Sequence, residues 1–161
     1  MPVEYEIQND GAFVLARYWG AVSGQEVAEL FRRYQADPEF RLDRPHLADV
    51  SGVTASDAGF AEVFSLFSMF ARFYATSDCP LRVAIYAPAD LTFGIARIFQ
   101  NLAESSDRIE TAIFEDMDDA RAWLAGLSPP YLGDTLSAAA QQARPARPGQ
   151  SPRSPRARAG P

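Results

Sequence analysis

Apolar and polar residues alternate through Val3-Glu4-Tyr5-Glu6-Ile7-Gln8, the period of a strand with one face in water. Asn9-Asp10-Gly11 follows, and Asp and Gly tolerate the left-handed backbone that a tight turn needs, so the pattern predicts a hairpin. The return strand, Phe13 to Trp19, is more apolar, as expected of a strand covered on both faces, with Gly20 ending it. Ser23 and Glu26 have the spacing of a capping box. Val27, Leu30, Phe31 and Tyr34 then recur at helical spacing until Asp37-Pro38 stops the run. After an Arg-rich connection, Leu47 to Val50 predict a short central strand, followed by a polar loop over residues 51–59.

A second helix is predicted to start at a Ser56 or Asp57 cap and run to about Thr76. Its apolar positions include Phe60, Val63, Phe64, Leu66, Phe67, Met69, Phe70, Phe73 and Tyr74. At the helical advance per residue these cover about half the circumference, wider than the ~100° stripe that sits on a sheet. Some of that surface needs another cover: a neighbouring helix, a second subunit or an apolar ligand. Leu81 to Tyr86 predict the fourth strand. Asp90 is read as the cap of a third helix bearing Phe93, Ile95, Ile98, Phe99 and Leu102. Ile109 to Phe114 predict the fifth strand, and Asp116 the cap of a last helix carrying Ala120, Trp123, Leu124 and Leu127. The order β-β-α-β-α-β-α-β-α predicts an α/β domain over residues 1–128, with a mixed, mostly parallel five-stranded sheet and four helices. Residues 129–161 are dominated by Pro, Arg, Ala, Ser, Gly and Gln, and a disordered tail is expected there.

Composition changes this picture mainly through charge. All 15 basic residues are Arg, and the net charge is −6. The 21 acidic residues end at Asp134, a span that holds ten of the Arg, so the body carries about −11 and the remainder five Arg. An acidic body argues against a nucleic-acid or anionic-membrane surface on the folded part. Cys79 is the only cysteine, which excludes an internal disulfide. No apolar run reaches the roughly 18–20 residues of a membrane span, and the first residues lack the pattern of a signal peptide. A cytoplasmic location is expected.

Candidate chemistry is sparse. His46 is the only histidine and sits at the start of a strand, opposite the strand ends where α/β sites gather, so a structural role is expected. Neither a cysteine pair nor a second histidine is present to hold a metal, and Glu115, Asp116, Asp118 and Asp119 are explained by the dipole of the helix they precede. No Gly-rich phosphate cradle occurs, and no cofactor is expected. Asp49 and Asp57 flank one loop as a pair of carboxylates in reach of acid–base work, against the plainer reading of Asp49 as an acceptor for loop N–H groups. Arg97, among apolar residues of the third helix, is placed either to anchor an anionic headgroup or to pair with Glu104 or another acid.

Asp49-Val50-Ser51-Gly52-Val53-Thr54, Phe93-Gly94-Ile95-Ala96-Arg97-Ile98-Phe99 and Phe114 through Trp123-Leu124 follow one another on this element order. Together they resemble the STAS family, the anti-sigma-factor-antagonist fold, and more closely its single-domain bacterial members grouped with CRAL-TRIO-type lipid-binding modules. The resemblance spans about residues 3–128 and implies a STAS-like binding or regulatory module. In the antagonist branch a loop serine at a helix N-terminus accepts phosphate. Here the matching residues are Asp57-Ala58-Gly59, with no hydroxyl, so that role does not transfer. Ser51, Thr54 and Ser56 lie nearby, and loop and capping duties account for them.

The expectation is therefore a non-catalytic module that uses the 51–59 loop and an apolar helix face to hold a protein partner or a second copy of itself. Its surface would include Asp49, Ser51, Thr54, Ser56, Asp57, Phe60, Phe64, Phe67, Phe93 and Arg97. Two alternatives stand beside it: an apolar small molecule or lipid bound between the second and third helices with Arg97 near the mouth, and an acid–base enzyme built on Asp49 and Asp57.

Overall fold

The computed structural model describes residues 2–126; the expected tail over 129–161, and Leu127 of the last helix, lie outside them. The elements are β1 (Val3–Gln8), β2 (Phe13–Val22), α1 (Gly24–Gln35), β3 (His46–Ser56), α2 (Phe60–Phe73), β4 (Leu81–Tyr86), α3 (Asp90–Ala103), β5 (Ile109–Phe114) and α4 (Met117–Leu124). They form one five-stranded sheet in the order β1-β2-β3-β4-β5, with β1 and β2 antiparallel and every other pair parallel. This is the mixed, mostly parallel α/β sheet that the pattern predicts.

Because the parallel strands succeed one another in space, right-handed crossovers put α1, α2 and α3 on one face. Phe31 and Tyr34 of α1, Val63 and Phe70 of α2, and Ala96 and Phe99 of α3 share a core cluster there with Val14, Val83 and Ile85. α4 returns on the opposite face, where Trp123 and Leu124 pack with Phe13, Leu15, Leu47 and Ala84. Val14 faces one layer and Phe13 and Leu15 the other, so the start of β2 is covered on both sides.

Asp10, at φ 53, makes the expected turn between β1 and β2. Arg44, from the Arg-rich connection, is buried and ties that turn to α1: its Nε donates to the Gly11 carbonyl (2.9 Å) and Nη1 to the Glu39 carbonyl (2.7 Å) and the Tyr34 hydroxyl (3.2 Å).

The structure departs from the sequence pattern around β2 and β3. Gly20 does not end β2; it sits inside the strand at φ 68, and pairing continues to Val22. β3 is not short: it runs to Ser56, so most of the expected 51–59 loop is strand. The register explains both differences. Arg17 pairs with Asp49 but Trp19 with Gly52, and Gly20 pairs with Val53 but Ala21 with Ala55. Each step inserts one extra residue into β3, a bulge that breaks the apolar alternation by which a strand is read. Gly52 suits the first bulge, since a Cβ there would stand 3.0 Å from both the Trp19 Cβ and the Tyr18 carbonyl oxygen, a tight approach that the neighbouring strand would have to relieve. β4 pairs with β3 only over His46–Asp49, so β2 and the far half of β3 continue beyond it as a two-stranded ribbon.

Two helix starts also differ. Neither Ser56 nor Asp57 caps α2; Gly59 does, and its N–H donates to the Glu62 carboxylate at 2.9 Å. Ser56 Oγ instead accepts from the Ala58 N–H, and the Asp57 carboxylate accepts from the Gly24 N–H at the start of α1. Ala89, not Asp90, precedes α3, whose first turn is closed by Thr92 donating to the Ala89 carbonyl. The Ser23–Glu26 capping box and the Asp116 cap form as expected.

Candidate functional site

Ala16 on β2 and Ala48 on β3 are paired neighbours on the sheet face below α1, α2 and α3. With Ala96 above them on α3, they leave space where larger side chains would meet, and a cavity of about 160 Å³ results. Val63, Leu66 and Phe70 of α2 wall it on one side, and Ile95 and Phe99 of α3 on the other. Val22, Val50 and Val53 carry the lining onto the β2–β3 ribbon. The lining is almost wholly apolar, in line with the concave apolar character of small-molecule sites.

Its polar members are few. Tyr18 lines the cavity from β2, and burial raises its ionisation well above the ordinary tyrosine value. His46, at the start of β3, is ringed by Phe31, Tyr34, Phe70 and Tyr74, with Nε2 3.4 Å from the Tyr74 hydroxyl. Burial, with a smaller push from the Arg44 charge, lowers its pKa to about 3. The imidazole is therefore neutral at physiological pH and belongs to an aromatic cluster. Thr92, Ser23, Ser56 and Glu62 complete the polar lining.

Of the ten residues expected on the working surface, Ser56 lines this cavity and the others lie elsewhere. Asp49 accepts from the Ser51 N–H at 3.0 Å and from its hydroxyl at 2.6 Å. By strand alternation it shares the α4 side with Leu47, whereas Asp57 is engaged with α1, so the two carboxylates serve different neighbours. Ser51 and Thr54 are exposed on the ribbon. Arg97 is exposed too, and donates to Gln100 one turn along its own helix (3.0 Å), not to Glu104 and not at the cavity. Phe67 is half-buried, edge-on to Phe99 with ring centres 5.6 Å apart. Phe93 stands exposed at the start of α3.

α2 does carry more apolar surface than the sheet covers. Phe60 is 63% and Phe64 50% exposed, and their rings stack with centres 6.0 Å apart. Phe64 and Phe73 also border an open groove between α1 and α2, which Arg32 and Arg72 flank. The sequence reading located this ridge but not the cavity. Its only sequence signal is a pair of alanines, one each in two strands, and nothing local says that they become neighbours.

Among the described residues, no group of three or more His, Cys, Asp or Glu side chains is placed to hold a metal ion, and no helix is long and apolar enough to cross a membrane.

No family model matches this chain. No curated protein matches it either. Among solved structures, it is similar to an uncharacterized protein from the DUF3478 family of Shewanella loihica PV-4, described as having a SpoIIAA-like fold. The identity is 17% and the TM-score 0.47, over 76% of this chain and 91% of that one. The assignment to a mixed α/β sheet with helices on both faces stands on the strand pairing itself.

Proposed function

We propose that this chain is a non-catalytic binding module that encloses a small apolar molecule between the sheet and α1, α2 and α3. The observation that carries the reading is the apolar cavity of about 160 Å³ over the Ala16–Ala48 pair. A concave apolar space between the sheet and its helices is where a small apolar ligand gains most from burial. Native mass spectrometry of freshly purified full-length protein tests it: an adduct of low molecular mass is expected. A clean apo mass that stays unchanged after incubation with small hydrophobic compounds overturns it.

A second reading has its own support in the exposed Phe60 and Phe64 rings, which suit association with a protein partner or a second copy along α2. Light scattering behind gel filtration distinguishes it, since a monomer at every concentration removes the self-association form. Acid–base catalysis by Asp49 and Asp57 has less to support it, because each carboxylate is occupied by its own neighbours.

A further inference from the structure

β2, β3 and β4 are parallel, so the two helices that join them, α1 and α2, point the same way along the groove between them. The charged residues lining that groove therefore sort by end. Asp57 and Glu62 stand where the helices begin, and Arg32 and Arg72 where they finish. Two acids and two bases leave the groove locally balanced, whereas the chain up to Asp134 carries about −11. Bodies of like charge repel, and a balanced face lets two of them meet with little of that repulsion. Among the described residues Arg72 makes no salt bridge, so its charge is free to take a carboxylate from outside the subunit.

α2 also matches itself in reverse. Its midpoint falls between Leu66 and Phe67, and a copy laid against it head to tail pairs residues equidistant from that point. Ser65 then meets Ser68, Phe64 meets Met69, and Ala61 meets Arg72, all of them residues of the groove wall. The central pair is small, which lets two helix axes approach closely. Phe60 and Phe73 fall opposite each other at the two ends, so the contact covers all three exposed rings of α2: Phe60 at 63%, Phe64 at 50% and Phe73 at 37%. Each Arg72 arrives at the end of the other groove that holds Asp57 and Glu62. A side-by-side parallel pair would instead set Arg72 on Arg72 and Glu62 on Glu62, with the two helix dipoles aligned.

We propose that the groove between α1 and α2 takes the α2 ridge of a second copy of this chain, antiparallel about a two-fold axis near Ser65 and Ser68, a mode that rests on the reading of α2 as a self-association surface. Light scattering behind gel filtration across a concentration series of full-length protein is expected to show a dimer. Arg72→Glu is expected to weaken it by about tenfold or more, since two symmetric contacts turn from attraction to repulsion. Arg97→Glu makes the same change of charge on α3, outside the groove, and is expected to leave the dimer within about twofold. Cysteine cross-linking in a Cys79→Ser background reads the orientation. Ser65→Cys lies close to the axis and is expected to form a disulfide between copies under mild oxidation. Ala61→Cys is expected not to, because antiparallel copies of residue 61 stand roughly 16 Å apart along the helix, beyond the reach of a disulfide. Equal cross-linking through Ala61→Cys, or a dimer that Arg72→Glu weakens no more than Arg97→Glu does, overturns this assignment and leaves self-association standing. A monomer at every concentration overturns self-association itself and leaves the ridge to a different protein.

Discussion

His46 shows how far the surroundings of one side chain decide its chemistry. A histidine in water titrates near pH 6.5, and here the aromatic cluster holds it to about 3. The unfolded chain therefore binds a proton between these values that the folded protein refuses. Stability from this source is fully present above pH 6.5 and is lost as pH falls toward 3, at no more than about 1.4 kcal/mol per pH unit. Urea denaturation at pH 7.5, 5.5 and 4.5 is expected to show this fall, and His46→Gln to flatten it relative to the unsubstituted protein; parallel slopes in the two would contradict it. Arg44 is the second residue whose role is set by its surroundings. Arg44→Met strips donors from two carbonyls and the Tyr34 hydroxyl, and a loss of about 2–4 kcal/mol is expected in the same measurement. The position of His46 at a strand start, away from the usual site edge, was readable from sequence. The burial of Arg44 was not, because an arginine beside Arg41 and Asp43 reads as part of a solvated connection.

At the scale of elements, periodicity located every strand and helix of the described region, since amphipathic alternation is a local property. What it missed was set across the sheet. The sequence pattern ends β3 at Val50 because the bulges at Gly52 and Ala55 scramble the alternation, and those bulges exist only with respect to β2. The caps divide in the same way. Ser23 and Asp116 serve helices that they directly precede, whereas Asp57 is drawn to the first N–H of α1 by tertiary approach. Gly52→Val is expected to destabilise the domain by about 1–3 kcal/mol, because the new side chain collides with Trp19 and the Tyr18 carbonyl. Ser23→Ala is expected to cost about 1 kcal/mol through loss of the cap. Thermal melts rank the two, and a Gly52→Val protein as stable as the parent would mean that the strands approach less closely than described.

At the scale of the whole molecule, the exposed ridge and the apolar cavity are unequally readable. The ridge follows from counting apolar positions around one helix, so Phe60 and Phe64 were recognisable in advance. The cavity follows from the pairing of Ala16 with Ala48, residues that sequence separates and the parallel sheet joins. Ala48→Leu directs a larger apolar group into that space. It is expected to stabilise the domain by about 0.5–2 kcal/mol and to abolish binding of any cavity ligand, read by a thermal melt and by ethylbenzene titration. Unimpaired ethylbenzene binding by Ala48→Leu would place the ligand elsewhere.

The ribbon that continues beyond β4 bears on how this protein breathes. Past Asp49, β3 has a described strand on its β2 side alone, so alternate amides of residues 51–56 face outward with no ladder to hold their protons. Deuterium uptake should therefore divide a single strand in two, slow from Leu47 to Asp49 and fast at alternate positions from Ser51 to Ser56. That half-guarded segment stands directly before α2, so the strand loosens at the end that hands the chain to its most aromatic helix.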